Sequence, residues 1–312
     1  MEYPHNPVMV NEVLEHLITL PEGIYVDGTV GSGGHSEAIS KKLSHKGCLV
    51  CLDRDSEAIR LSKDRLSSLW EDISFVNRSY AEMDECLSDL EIDSVNGILL
   101  DLGMSSYQLD HSGRGFSFTR DEPLDMRMDP AGEITAQYLI NNLSVKEIER
   151  VLREYGEEPK ARLISRIIDT ERKKKKINTS GHLADLIRSR VHVPKRYALA
   201  KDPATRTFQA LRIAVNNELE NLKTFLGKAP SLVAKGGRIV ILSYHSLEDR
   251  IVKKTMAGWE RGCTCPPDLP KCGCGNKPLF RRVFKKGIKP GKREIDDNPR
   301  ARSAILRAAE RI

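Results

Sequence analysis

No stretch of this 312-residue chain approaches the ~18 consecutive apolar residues of a membrane span, and the opening MEYPHNPVMVNEV lacks the basic-then-apolar order of a secretory signal. Aromatic residues are scarce (7 Phe, 8 Tyr, 2 Trp), too few for a surface built mainly on base stacking. Cysteine is scarce as well. Seven thiols, an odd number in a chain of this length, do not make a secreted disulfide framework, so reduced thiols and a cytoplasmic setting are expected. No internal repeat is seen, and 39% hydrophobic with 30% charged residues excludes disorder, collagen and coiled coil. The length suits about two domains, or one with a large insertion.

What is present is charge, unevenly placed. The net +6 divides into −11 over residues 1–108, which carry 19 Asp/Glu and 8 Lys/Arg, and +17 over residues 109–312. Two stretches concentrate the basic excess. Residues 160–206 hold 14 Lys/Arg against 4 Asp/Glu, including Arg172-Lys173-Lys174-Lys175-Lys176, and residues 277–293 hold 8 basic side chains and no acidic one. One such run is often only a solvated face. Two beside an acidic module point to a polyanion, because clustered cations gain by displacing counterions from phosphates.

The order of elements reads as α/β. Leu20–Val26 leads into a glycine-rich turn and a helix over His35–Ser44; Cys48–Leu52, Ile73–Val76 and Gly97–Leu100 are short apolar strands, with a helix over Ser56–Leu69. From about Gln108 to Arg206 only helices and loops are predicted, including a capping box Ser144/Glu147 on a helix that Gly156 stops. Phe208 through Leu226 reads as one long amphipathic helix. Lys235-Gly236-Gly237 turns into a fifth strand, Gly237–Leu242; Leu279–Phe284 and Ser303–Ala308 are late edge strands, the second equally readable as a helix. The expected partition is a discontinuous sheet domain, 1–108 and 207–312, interrupted by a helical insert, 109–206, as the RNA-recognition domain.

Glycines between a first strand and its helix let backbone N–H groups approach a ligand. The loop Gly31-Ser32-Gly33-Gly34-His35-Ser36 has Ser where a dinucleotide fingerprint needs its third glycine, and Asp27 before it would repel a pyrophosphate. Asp27, Asp53 and Asp101 all fall at carboxyl ends of predicted strands. Three acids there suit a ligand with an ammonium and a sulfonium charge, which points to S-adenosylmethionine, with Asp53 on the ribose hydroxyls.

The blocks His5–Met9 (HNPVM), Asp27–His35 (DGTVGSGGH), Asp101–Asp110 (DLGMSSYQLD), Arg114–Phe118 (RGFSF), Pro123–Asp129 (PLDMRMD), Pro203–Gln209 (PATRTFQ), Ser243–Val252 (SYHSLEDRIV) and Asn298–Arg307 (NPRARSAILR) span almost the whole chain. Together they resemble the bacterial MraW/RsmH family, S-adenosylmethionine-dependent methyltransferases that modify N4 of one cytidine in the decoding region of 16S rRNA. The resemblance implies a class I (Rossmann-like) methyltransferase sheet with an inserted all-helical domain, and the small ribosomal subunit or its RNA as partner. It implies cofactor contacts at Gly33, Gly34, His35, Asp53, Tyr80, Asp101 and Gln108. Tyr80 replaces a Phe found in other members, and Tyr107 replaces a Pro. A homodimer is kept as an option.

The exocyclic amine of cytosine is a weak nucleophile, so acceptors on its N–H groups and alignment with the methyl donor are what a site must supply. Asp101, or carbonyls of the following loop, would accept. Tyr244 and His245, after the fifth strand, are the other catalytic candidates. The base must be unstacked or unpaired, and Phe116, Phe118, Tyr244 and His245 are candidates to hold it, with core packing as the alternative for the two Phe. Tyr244-His245-Ser246 also reads as a strand end before a helix capped by Ser246 and Asp249. Cys263, Cys265, Cys272 and Cys274 form C-x-C-x6-C-x-C, suited to structural zinc or left as reduced thiols. A non-catalytic ribosome-assembly factor that retains the fold is the rival reading.

Overall fold

The computed structural model describes residues 7–67, 72–191, 202–262, 265–266, 270–271 and 273–312. Strands and helices alternate at the start: β1 (Ile24–Asp27), a helix Gly34–Ser40, β2 (Cys48–Leu52), a helix Ser56–Leu66, β3 (Ile73–Val76), a helix Met83–Asp89 and β4 (Val95–Asp101). After an all-helical stretch come β5 (Val233–Ser243), β6 (Phe280–Arg282) and β7 (Ile305–Arg311). They form one sheet in the order β3-β2-β1-β4-β5-β7-β6. β1 to β5 are mutually parallel, and β7 runs antiparallel between β5 and β6.

Alternate residues of each strand face opposite layers. Val26, Val50, Ile98, Leu100, Ile239, Ile241 and Ala309 pack under the helices Met83–Asp89, Glu218–Leu232 and Ser246–Arg261. Tyr25, Leu49, Leu99, Val240, Leu242, Leu306 and Ala308 pack under the helices Val10–Leu17, Gly34–Ser40 and Ser56–Leu66. A strand covered on both faces has no polar side to display, hence the continuous apolar runs in the sequence. The final segment is a strand, not a helix, and it is interior. Only β6 is an edge. The signal Lys235-Gly236-Gly237 lies within β5, which bulges there: Val95 pairs with Val233 but Gly97 with Arg238, and Gly236 has φ +79°.

The chain divides into two compact units, Met1–Gly103 with Leu219–Ile312, and Met104–Glu218. The second boundary falls a helix later than 206/207. The physical reason is Asn217, whose left-handed backbone (φ 51°) breaks the expected long helix into Thr205–Asn216 and Glu218–Leu232. Phe208 and Leu211 of the first piece are buried in the core of the helical unit with Ile148, Val151 and Leu152. Leu222, Phe225 and Leu226 of the second are buried under the sheet. One apolar stripe thus serves two cores.

Within Met104–Glu218 the described helices are Ser106–Asp110, Ala136–Asn142, Val145–Gly156, Ala161–Arg172, Ser180–Arg190 and Thr205–Asn216, with a single β-bridge, Pro123 to Thr179. The Ser144/Glu147 capping box forms. The helix ends at Gly156 as expected, but the left-handed residue is the next one. Glu157 takes the left-handed cap (φ 46°), and Gly156 ends the helix where any Cβ would stand 2.6 Å from the Arg206 carbonyl oxygen. Its hydrogen permits close helix approach.

Asn tolerates the left-handed region better than other non-glycine residues. Asn217→Ala is therefore expected to lower unfolding stability by about 1 kcal/mol and Asn217→Gly to leave it unchanged or higher, read from urea denaturation. Equal midpoints for Ala and Gly would contradict this account of the break.

Candidate active site at the carboxyl edge of the sheet

Three adjacent strands, β2, β1 and β4, lead into the glycine turn and its acids. Asp27 ends β1 opposite Cys51 and Leu99, so Asp53 and Asp101 stand two residues beyond it, in one row across the sheet with Thr29 between them. The turn closes this row with backbone bonds. Gly28 N–H donates to Leu99 O (2.9 Å), Val30 N–H to Leu52 O (2.9 Å) and Asp101 N–H to Thr29 Oγ1 (2.7 Å). Gly31 and Gly33 occupy positive φ (52° and 82°), and Gly28 lies against Leu100, whose Cδ2 would be 2.5 Å from a Cβ. β1 is flanked by β2 on one side and β4 on the other, which makes this the switch point where open α/β sheets bind ligands.

The two-residue offset separates the acids by role. Asp27 is 1% exposed. It accepts from the Ser36 hydroxyl (2.7 Å) and Thr29 N–H (3.2 Å), and burial pushes its pKa up. It fastens the turn to the helix Gly34–Ser40 and does not face a ligand, which corrects the picture of three equivalent acids around a cation. Asp53 is only partly buried; its carboxylate accepts from Gly31 N–H (3.0 Å) and Asp55 N–H (2.9 Å), leaving lone pairs on both oxygens. Burial raises its pKa to about 6. Tyr80, in a short 3-10 turn, is half-buried beside Gly28 with its ring edge-on to Phe225 (centroids 6.0 Å).

His35 and Asp101 face one another in a way that asks for a donor. His35 Nε2 is 2.8 Å from the Val8 carbonyl, which can only accept, so Nε2 carries the proton. In the neutral ring Nδ1 is then an acceptor, and it stands 3.6 Å from Asp101 Oδ2, also an acceptor. An ammonium placed at this pair supplies the missing hydrogens. The residues present therefore fit the cationic amino-acid end of S-adenosylmethionine, with Asp53 free to accept from the ribose. Gly34 packs against Pro7, which seats the same N-terminal segment over the turn.

Asp101 Oδ1 accepts from Gly103 N–H (3.0 Å), and the Tyr244 hydroxyl is hydrogen-bonded to the same carboxylate. Burial foremost, and then Asp101, holds the Tyr244 phenol well above its usual pKa, so it is a donor and not a base. A Cβ on Gly103 would come within 2.7 Å of the Tyr244 ring. The helix after β5 is capped by His245, not by Ser246 and Asp249. His245 Nδ1 accepts from Glu248 N–H (3.4 Å), and Glu248 Oε2 accepts from the N–H groups of Tyr244 (2.9 Å) and His245 (3.3 Å). Asp249 is paired with Arg307 at 2.6 Å. Ser243 Oγ is buried with no hydrogen-bond partner among the described residues, while His245 Nε2 stands 3.0 Å from Glu248 Oε1.

The other expected residues belong to the helical unit or fall partly outside the described residues. Phe116 is buried in the helical core, the core-packing alternative, and Phe118 is half-buried at its margin, edge-on to Phe208 (5.0 Å) with Arg188 over its ring. Gln108 lies in the helical unit, where with Ser105 it forms the capping box of the helix Ser106–Asp110. Cys265 and Cys274 are half-buried, while Cys263 and Cys272, like His5 and Asn6, lie outside the described residues. Sequence reasoning passed over Thr29, Ser36, Gly103 and Glu248; for Glu248 the signal was present as an acidic residue three places after a cap.

A doubly wound sheet with a glycine turn and strand-end acids at its switch point defines a methyltransferase-type α/β protein. The family model "MraW methylase family" matches residues 2–312. The chain is 48% identical over 310 residues to a protein of Caldicellulosiruptor saccharolyticus named Ribosomal RNA small subunit methyltransferase H, covering 99% of this chain and 100% of that one. It is 44% identical over 312 residues to a protein of the same name from Clostridium botulinum, covering all of both. This chain belongs to the MraW methylase family. Among solved structures, an rRNA methylase from Streptococcus thermophilus aligns with 97% of this chain and 93% of its own, at 12% identity and a TM-score of 0.38.

Asp53 accepts fully from two hydroxyls only when ionised. With its pKa at about 6, S-adenosylmethionine affinity is expected to fall about tenfold from pH 7 to pH 5 by calorimetry, and Asp53→Asn to bind weakly with that step removed. The same raised pKa means the folded state binds this proton more tightly than the unfolded one. This group's contribution to stability therefore declines as pH rises from the ordinary carboxylate range to about 6.

Proposed function

We propose that this protein is a cytoplasmic S-adenosylmethionine-dependent methyltransferase acting on N4 of a single cytidine in the decoding region of 16S rRNA. The observation that carries the reading is the partly buried pair Asp53 and Asp101, held in one row at the sheet's switch point by the glycine turn. The names of the full-length relatives supply the substrate class.

S-adenosylmethionine, when bound, supplies an electrophilic methyl group on a sulfonium. Asp53 binds the ribose, and the His35–Asp101 pair binds the ammonium. Thr29, through its hydroxyl on the Asp101 N–H, and Tyr244, through its hydroxyl on the carboxylate, fix where Asp101 points. Asp101 and the carbonyls after it accept from the cytosine N–H groups and orient the nitrogen lone pair in line with the methyl. No strong base is required, because the amine becomes acidic as the N–C bond forms and the donor's S–C bond breaks, leaving a neutral thioether, and the released proton passes to water. The helical unit Met104–Glu218, with its lysine-rich run, contacts RNA phosphates.

The intact turn and both acids favour the enzyme over a non-catalytic assembly factor. The four thiols of C-x-C-x6-C-x-C supply the donor set of one tetrahedral structural zinc, at a tighter spacing than the usual C-x2-C. Zinc near one per chain in the purified protein is the expected result, and a stoichiometry near zero ends that part of the reading.

Mass spectrometry of rRNA from cells lacking this protein is expected to show loss of one N4-methylcytidine, restored by the intact chain. Asp101→Asn is expected to lower methyl transfer by 10²-fold or more, the scale of losing a positioned polar group in a site. Persistence of the modification in the deletion strain would overturn the substrate. Tight cofactor binding without any methyl transfer to RNA would favour the assembly factor.

A further inference from the structure

The two basic stretches of the sequence meet different fates. In the helical unit, Arg172 is consumed by structure: it binds Asp169 and the carbonyls of Ile140 and Leu143, and Lys173 also pairs with Asp169. In residues 277–293 the arginines take the carboxylates. Arg281 pairs with Glu310 and Arg282 with Glu260, while the exposed Arg293 has, among the described residues, only Asp297, at 4.0 Å. Lys285, Lys286, Lys289 and Lys292 are exposed, and none is a member of an ion pair among the described residues; Lys285 adds only a longer-range pull on Glu260.

The backbone carrying these lysines is pinned at a defined place. Asp101 pairs with Leu242, Leu242 with Leu306, and Leu306 with Ile288, one continuous row through β4, β5 and β7. Ile288 and Leu306 exchange both backbone bonds (3.0 and 2.9 Å), and Val283 N–H reaches Ala308 O (3.0 Å). Lys285 and Lys286 therefore sit on a bulge along the outer side of β7, at the same edge of the sheet as Asp101. Three strand spacings of about 4.8 Å put Ile288 roughly 14 Å from Asp101. That is about four nucleotides of stacked strand at ~3.4 Å each. Farther on, Lys292 and Arg293 begin the helix Lys292–Asp297, whose Glu294 accepts from Met9 N–H (2.6 Å), next to the Val8 carbonyl that holds His35.

We infer that Lys285, Lys286, Lys289 and Lys292 form a phosphate clamp on the methyltransferase unit itself, gripping the RNA strand that flanks the target nucleotide. The inference rests on the proposed function for its RNA and adds a second grip to the helical unit. A solvated face has no need of a hydrogen-bonded anchor in register with the catalytic acid. A clamp does, because a few nucleotides separate a flipped base from its nearest fixed phosphates.

The test uses the full chain with Lys285, Lys286, Lys289 and Lys292 all changed to Ala, beside a Lys174→Ala/Lys175→Ala/Lys176→Ala control and a version with the four clamp lysines changed to Arg. Affinity for a 16S rRNA fragment containing the decoding region is measured against salt, with KM and kcat for methylation. The Ala clamp variant is expected to lose about 3 from the salt slope, at ~0.7 per phosphate contact on single strands. Its KM for RNA should rise tenfold or more with S-adenosylmethionine affinity unchanged, and the Arg version should restore both. An unchanged slope and KM overturn the clamp, as does loss of cofactor affinity, which would make the lysines structural. A defect confined to assembled subunits, with naked RNA bound normally, also overturns it in favour of a protein contact. Intact RNA binding by the native chain without methyl transfer would instead defeat the proposed function and leave the clamp standing.

Discussion

Parallel register is the constraint on which this protein depends. Because β2 and β4 both pair with β1, the residues that end them are locked in height, and one pleat decides what an acid can do. Asp27 is one pleat too low to meet a ligand and becomes a tie between turn and helix. Asp53 and Asp101, two residues higher, keep lone pairs available while their own backbone environment holds them still. Slipping either strand by one residue would exchange the apolar layers as well. The site is therefore as stable as the core beneath it.

This explains why so much of the fold was legible. Buried parallel strands must be short, apolar and punctuated by turn residues, so β2 and β3 were readable to the residue and β4 nearly so. The acids at their ends came with them. Illegible features depended on what lay across space. Asn217 breaks a helix whose apolar periodicity continues unbroken, because the two halves answer to different cores. Gly156 does end its helix, but the reason for a glycine there is close approach to the Arg206 backbone. Phe116, in a motif rich with chemistry, is a packing residue.

At the site the same division holds. Strand-end carboxylates and positive-φ glycines are local requirements and show in the sequence. The proton inventory is not local. That His35 spends Nε2 on Val8, and so presents Nδ1 to Asp101, depends on an N-terminal segment folding back over the turn. That Tyr244 is a donor follows from its burial against Asp101, not from its position after a strand. Both shift the catalytic emphasis from base chemistry to placement.

Charge placement follows from this emphasis. A reaction governed by alignment needs its RNA held on more than one side of the reacting base, since one flexible tether leaves the amine free to swing. The acidic first third of the chain, which carries Asp53 and Asp101, suits a cationic cofactor and would by itself repel a nucleic acid. Cations must therefore reach the rim without entering the cofactor pocket. β7 meets that requirement by carrying the catalytic row sideways through the sheet to Ile288, where lysines can stand near the site and outside it. Arginine, with its planar fork, closes the local ion pairs at Glu260 and Glu310, and lysine, a mobile point charge, is left for phosphates.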